Sequence, residues 1–192
     1  MENVSTFVIL TAPHARCTAT SHSNHSCDFA ALSAANELSK ALDSVGIESI
    51  VLAGDINRET TDLNRAVARY TTDFRESLRM EVRLRSRKHE IIVLDVHSYP
   101  QSSKWGTYPI VFLYAGGRVP QWADSMGMAI SNELRKPITI LDNLGQINDI
   151  QDEMHSLGIR AILLEFNESN PRDVLLRITR SITQSLGRLA SV

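Results

Sequence analysis

Short, almost wholly apolar runs alternate along the chain with longer stretches in which large apolar residues recur every three or four positions. The short runs, rich in Val and Ile, have the length and composition of strands, and the longer stretches have the period of helices. Thr6 to Ala12 is the first strand. A polar loop leads to a helix from about Asp28, with Phe29, Leu32, Leu38, Leu42 and Val45 on one face until Gly46 stops it. Ile47 to Ala53 is the second strand, and Leu63 to Arg87 is a helical stretch carrying Val67, Tyr70, Phe74, Leu78 and Val82 on one side. Glu90 to Val96 is apolar nearly throughout, as a strand buried on both faces should be. Ile110 to Ala115 and Ile138 to Leu141 are further strands, separated by a helix that begins at Pro120. Arg160 to Phe166 is the last strand, and Asn170-Pro171 opens a C-terminal helix whose stripe is Val174, Leu175, Ile178, Ile182 and Leu186. This alternation predicts one three-layer α/β/α domain, residues 1–192, with a mainly parallel central sheet covered on both faces.

Composition narrows the classes of partner. At 192 residues, 43% hydrophobic and 22% charged, the chain is long enough to bury a sizeable core in a single domain. The formal net charge of -2 and isoelectric point of about 6.3 give no overall positive field, so neither nucleic acid nor an anionic membrane is expected as a partner. The basic cluster Arg83, Arg85, Arg87 and Lys88 suits a solvated helix end, where cations complement the macrodipole. Two cysteines are too few for a disulfide framework, and the first residues lack the basic start and apolar core of a signal peptide. A reducing, cytoplasmic setting is therefore expected; a Cys17–Cys27 disulfide would require an oxidising one. No apolar run approaches the roughly 20 residues needed to span a bilayer.

The candidate chemistry sits at the strand ends. His14, His97 and Glu165 each stand where an apolar run finishes, and in an open parallel sheet those ends share the edge at which ligands bind. A catalytic zinc ion takes three protein ligands and leaves a position for water. His14 and His97 supply two. Cys17, three residues after His14, is the third candidate as a thiolate, with His22 and His25 of the same loop as alternatives. The spacing of Cys17, His22, His25 and Cys27 matches no paired CxxC structural site. Asp55-Ile56-Asn57-Arg58 and Asp62-Leu63-Asn64-Arg65 repeat one four-residue pattern that also suits turns and helix caps. Gly116-Gly117 lacks the context of a phosphate-binding loop and is assigned to a turn.

Taken in order, these motifs resemble the zinc metallocarboxypeptidase superfamily, and in particular its N-formylglutamate amidohydrolase branch. Pro13-His14 resembles the first ligand motif, Asp62-Leu63-Asn64-Arg65 the substrate-binding Asn-Arg motif, Asp95-Val96-His97-Ser98-Tyr99 the second histidine motif, and Glu165 the catalytic glutamate. The chain departs from the carboxypeptidase pattern at Cys17, where a glutamate would stand. The resemblance implies a carboxypeptidase-like fold and Zn2+ held by His14 and His97, with the third ligand either Cys17 as a thiolate or another residue such as His22 or His25. It also implies Glu165 as general base and then general acid, with Arg58 stabilising the developing oxyanion and Arg16 in reserve. Arg65 would capture a carboxylate in bidentate fashion with help from Asn64. Ser98 and Tyr99 would line the pocket, with Trp105-Gly106 closing over it.

The function expected is zinc-dependent hydrolysis of an amide next to a free carboxylate, on an N-formyl or N-acyl amino acid or a peptide C-terminus. A peptidoglycan-directed amidase on the same scaffold is a rival within enzymes, because fold and zinc site do not fix the substrate. The rival from another class is a non-catalytic α/β binding module with a degenerate metal site, suggested by Cys17 in place of glutamate.

Overall fold

The computed structural model describes residues 5–17, 27–65, 68, 71–115, 118–142 and 149–189. Its elements in chain order are β1 (Ser5–Ala12), α1 (Ala31–Asp43), β2 (Glu48–Ala53), α2 (Asp73–Arg85), β3 (His89–Tyr99), β4 (Ile110–Tyr114), α3 (Gln121–Leu134), β5 (Thr139–Asp142), α4 (Asp149–Ser156), β6 (Arg160–Asn167) and α5 (Arg172–Leu189). The strands form one six-stranded sheet in the order β2-β1-β3-β6-β4-β5. Pairing is parallel except between β4 and β6, so the sheet is mixed and mainly parallel.

The layers follow from alternation along the strands. Val8, Leu10, Ile92, Leu94, Val96, Ile162 and Leu164 face α1, α3 and α5, which answer with Leu38, Met126, Ile130, Ile178 and Ile182. Phe7, Ile9, Ile91, Val93 and Ala161 face α2 and α4 and meet Phe74, Leu78, Val82, Ile150 and Met154. Both faces of β3 are therefore covered, which accounts for its unbroken apolar sequence. Leu94 is wholly buried at the centre of the larger layer. Leu94→Ala is expected to cost about 2–5 kcal/mol of unfolding free energy, read by urea denaturation.

Two helix starts and one added helix differ from the sequence expectation. The first helix begins at Ala31, leaving Asp28 in the preceding loop and Phe29 56% exposed. It stops as expected at Gly46, whose φ of 77° favours glycine. The second helix begins only at Asp73, where the Thr72 hydroxyl accepts the Arg75 N–H at 3.5 Å; residues 62–65 form a turn instead of helix. The expected positions Val67 and Tyr70, like Gly116-Gly117, lie outside the described residues. A helix not expected from the sequence, α4, follows β5; it is short, and only Ile150 and Met154 mark its apolar side.

Candidate metal centre

Parallel pairing of β1, β3 and β6 brings their C-terminal ends side by side, with Thr11 opposite Asp95 and His97 opposite Glu165. Asp95, His97 and Tyr99 alternate along β3 onto the face that α2 and α4 cover further down. His14 enters from the turn after β1. That turn is pinned by the Gly54 N–H, which donates to the Ala12 carbonyl at 2.8 Å. A Cβ at Gly54 would stand 2.0 Å from the Pro13 carbonyl oxygen, so only glycine lets β2 approach the turn this closely.

The two imidazoles meet on one carboxylate. His14 Nδ1 is 3.2 Å and His97 Nδ1 is 2.8 Å from the same oxygen, Asp28 Oδ2. Each opposite ring nitrogen faces a second carboxylate: His14 Nε2 is 2.7 Å from Asp62 Oδ1, and His97 Nε2 is 3.1 Å from Asp95 Oδ2. Thr11 donates to Asp95 Oδ1 at 2.6 Å and the Asn64 amide donates to Asp95 Oδ2 at 3.3 Å, fixing that carboxylate in turn. His14 and Asp28 are only 1% and 4% exposed.

The electrostatics follow from this concentration of charge in a dry site. Burial works against charge on His97, yet the carboxylates of Asp95 and Asp28 outweigh it and hold the imidazole pKa well above its ordinary value. Burial likewise opposes the carboxylates of Asp28 and Asp62. The hydrogen bonds from His14 and His97 for Asp28, and from His14 together with the Arg58 charge for Asp62, keep both below the ordinary range. For Glu165, burial pushes the carboxyl up to about 7, against the pull of His97 and with the help of the Asp28 and Asp95 charges.

Among the described residues, His14, Asp28 and His97 form a group able to hold a metal ion, with one ligand atom from each lying within 4.8 Å of the others. The donor chemistry fits one. Two imidazoles and one carboxylate form a known catalytic zinc set, and a metal-ligating histidine usually has its other ring nitrogen held by a carboxylate or carbonyl. Asp62 and Asp95 stand in that place for His14 and His97.

The expectation for Cys17 as a thiolate ligand is corrected. Cys17 is bonded to Cys27 in a disulfide, and a disulfide sulfur has no thiolate to offer a metal. His22 and His25, the alternatives, lie outside the described residues. In the sequence Asp28 stands simply at the start of an apolar helical stretch, and its position directly after Cys27 is the available signal.

The remaining candidates divide between the centre and its rim. The Asn64 side chain points inward, to Asp95 and to His97 Nε2 at 3.1 Å, and its backbone N–H donates to Asp62 Oδ1 at 3.0 Å. Arg58 reaches Asp62 Oδ2 at 3.3 Å and comes within 3.9 Å of Asp28 Oδ1. Arg65 is 47% exposed, with Nε 3.4 Å from Asp62 Oδ2. Arg16 is exposed and donates to the Asp55 carbonyl. The turn carrying Asp62 and Asn64 is held from below by the fully buried Arg75, which donates to the carbonyls of Leu63 (3.1 Å) and Asp149 (3.3 Å) and pairs with Glu153.

Ser98 occupies the other face of β3, where it accepts the Ala30 N–H at 3.1 Å and donates to Glu168 at 2.9 Å. Tyr99 shares the face of His97, and its hydroxyl donates to the Tyr108 carbonyl at 2.6 Å. Burial and the nearby Glu165 charge raise the Tyr99 pKa above its ordinary value, keeping it neutral. Asn167 donates to the Gly106 carbonyl (3.0 Å) and Asn170 to the Pro109 carbonyl (2.7 Å), while Trp105 meets Tyr99 edge to face. The segment 100–109 is thereby tied down beside the site.

No family profile and no curated protein matches the sequence. Solved structures do share the fold. The chain is similar to N-formylglutamate amidohydrolase from Ralstonia eutropha (TM-score 0.61, 13% identity, 99% of this chain and 94% of that one). It is also similar to the gene product Atu2144 from Agrobacterium tumefaciens (0.62, 14%, 97% and 89%). A third likeness is to the N-acetylmuramoyl-L-alanine amidase AmiC2 of Nostoc punctiforme (0.58, 9%, 97% and 98%). The architecture is thus that of the amidase and amidohydrolase folds: one α/β domain whose six-stranded mixed sheet is flanked by five helices. Among the described residues, no helix is long and apolar enough to cross a membrane.

Proposed function

We propose that this chain is a single catalytic domain that hydrolyses an amide bond with the help of zinc held by His14, Asp28 and His97. The observation that carries the proposal is the convergence of two carboxylate-backed imidazoles on Asp28, with Glu165 directly across the strand pair from His97. Asp28, as an acidic donor in place of Cys17, supports this reading over a binding module with a decayed metal site.

When bound there, zinc would acidify a water molecule toward a pKa of about 7 and polarise the substrate carbonyl. Glu165 takes the proton from the attacking water and returns it to the leaving nitrogen. Its half-buried, poorly solvated carboxyl has the basicity for both tasks. Arg58, at the rim and close to Asp28, stabilises negative charge developing on the carbonyl oxygen. Asn64 acts through Asp95 and His97, holding the ligand ring in place.

Arg65 is the exposed guanidinium suited to the free carboxylate of an N-acyl amino acid or a peptide C-terminus. Arg65→Ala is expected to raise KM about 10- to 100-fold for carboxylate-bearing substrates and much less for their amidated analogues, as measured by initial rates on matched pairs. Tyr99 and Trp105 form the apolar wall of the pocket, whereas Ser98 supports the loop after Asp28. The disulfide favours an oxidising compartment over the cytoplasm, since such bonds persist where thiols are not kept reduced.

The test is elemental analysis of the purified chain followed by hydrolysis assays on N-formyl and N-acetyl amino acids, short peptides and N-acetylmuramoyl-L-alanine. About one zinc per chain is expected, with activity abolished by chelator and restored by zinc. Metal-free protein after incubation with zinc would overturn the proposal.

A further inference from the structure

Asp28 stands fourteen residues beyond His14, yet its side chain must meet both histidines in a buried site. Much of that length is bypassed. Cys17 lies three residues after His14 and Cys27 immediately before Asp28, and the two cysteines, ten residues apart, are joined by a disulfide. Resting on the zinc reading above, we propose that the Cys17–Cys27 disulfide is a positioning clamp for the metal ligand Asp28, so that zinc affinity depends on the bond as well as on the fold.

The two sides of Asp28 are anchored differently. After it, the Phe29 N–H donates to Glu168 at 3.2 Å and the Ala30 N–H to Ser98 at 3.1 Å, and Ser98 is itself bonded to Glu168, so the entry to α1 is fixed to the ends of β3 and β6. Before it, the chain is held by the bond from the Asp28 N–H to the His14 carbonyl at 3.0 Å and by the disulfide. That backbone bond presents the carboxylate to the His14 ring, and the covalent link keeps its two partners adjacent. Cys27 is buried beside the ligand while Cys17 is exposed, so the clamp ties a fixed inner residue to the turn after β1.

The size of the effect follows from loop closure. Without the bond, about fourteen residues must close to bring Asp28 to His14; with it, about four intervene, and the (3/2)ln n dependence makes the difference a factor of about 5 to 10. Loss of a group that orients a metal ligand costs about 10- to 100-fold in metal affinity. A weakening of about tenfold is expected.

The experiment compares zinc dissociation constants, by competition with a chromophoric chelator, for the oxidised wild type, the Cys17→Ser/Cys27→Ser double variant, and the wild type reduced with a phosphine. The clamp predicts no free thiol in the folded oxidised protein. It also predicts about tenfold weaker zinc binding in both the double variant and the reduced protein, with the far-ultraviolet circular dichroism of the metal-free forms unchanged. Should the double variant fail to fold, the reduced wild type supplies the same comparison. A bond that merely stabilised the fold would lower the melting temperature of the metal-free protein and leave the dissociation constant where it was, which overturns the clamp. Tighter binding on reduction, absent from the double variant, would make the thiolates ligands and overturn it equally. Two free thiols in the oxidised protein would do the same. If the oxidised wild type takes up no zinc, the metal centre itself falls; if it does, and the variant matches it, the clamp alone falls.

Discussion

Glu165→Gln is expected to keep its zinc and lose about 100- to 10,000-fold in turnover. The glutamine preserves the volume at the end of β6 and the packing against Val111, its partner across the antiparallel pair. It cannot accept a proton. Metal retention is expected because the proposed donors are His14, Asp28 and His97, none of which is changed. Burial is what makes Glu165 suitable: a carboxyl pushed up to about 7 is a far stronger base than a solvated one. A dication nearby draws that value down again, so that the ionised form is present at neutral pH. Elemental analysis and initial rates on the same preparation decide the matter, and turnover equal to that of the wild type would place the base elsewhere.

Asp28→Ala is expected to abolish stoichiometric zinc, with affinity lowered by more than about 100-fold. Removing an outer partner costs about 10- to 100-fold, and removing a ligand leaves two imidazoles to hold the ion alone. The effect should equal that of His97→Ala, since both rings point their Nδ1 atoms at the same carboxylate oxygen. Asp28→Asn separates charge from shape. It keeps an oxygen in position but lacks the negative charge, and should fall between the wild type and alanine. Titration of each chelator-stripped protein with zinc provides the measurement.

The fold was legible in the sequence where burial is two-sided. The run from Glu90 to Val96 could only be a central strand, and Leu38 and Leu42 or Ile178 and Ile182 could only be helix faces turned inward. At residues 62–65 helical spacing misleads because Asp62 and Asn64 are spent on His14, Asp95 and His97, so local chemistry overrides it, and α2 is capped by Thr72. For the candidate site, the convergence of His14, His97 and Glu165 at one sheet edge was legible because a strand end is a fixed address on a parallel sheet. Asp28 was not. It comes from a loop, where register gives no guidance, and its ligand role depends on a fold that returns the chain to His14. Asp95 was partly legible as the residue two before His97 and hence on its face; Asp62, facing His14 from another turn, had no such marker.

The antiparallel placement of β4 beside β6 has a consequence for how such a protein can change. β3 ends at the same edge at which β4 begins, so the chain crosses from one to the other without passing over a sheet face, and the segment 100–109 stays at the rim of the metal centre. Among the described residues its ties run to Tyr99, Asn167 and Asn170 and not to His14, Asp28 or His97. Insertions or deletions there would reshape what can reach the candidate centre while the strands that carry His97 and Glu165 keep their register. The rim segment 100–109 can thus drift while the strands carrying His97 and Glu165 stand still.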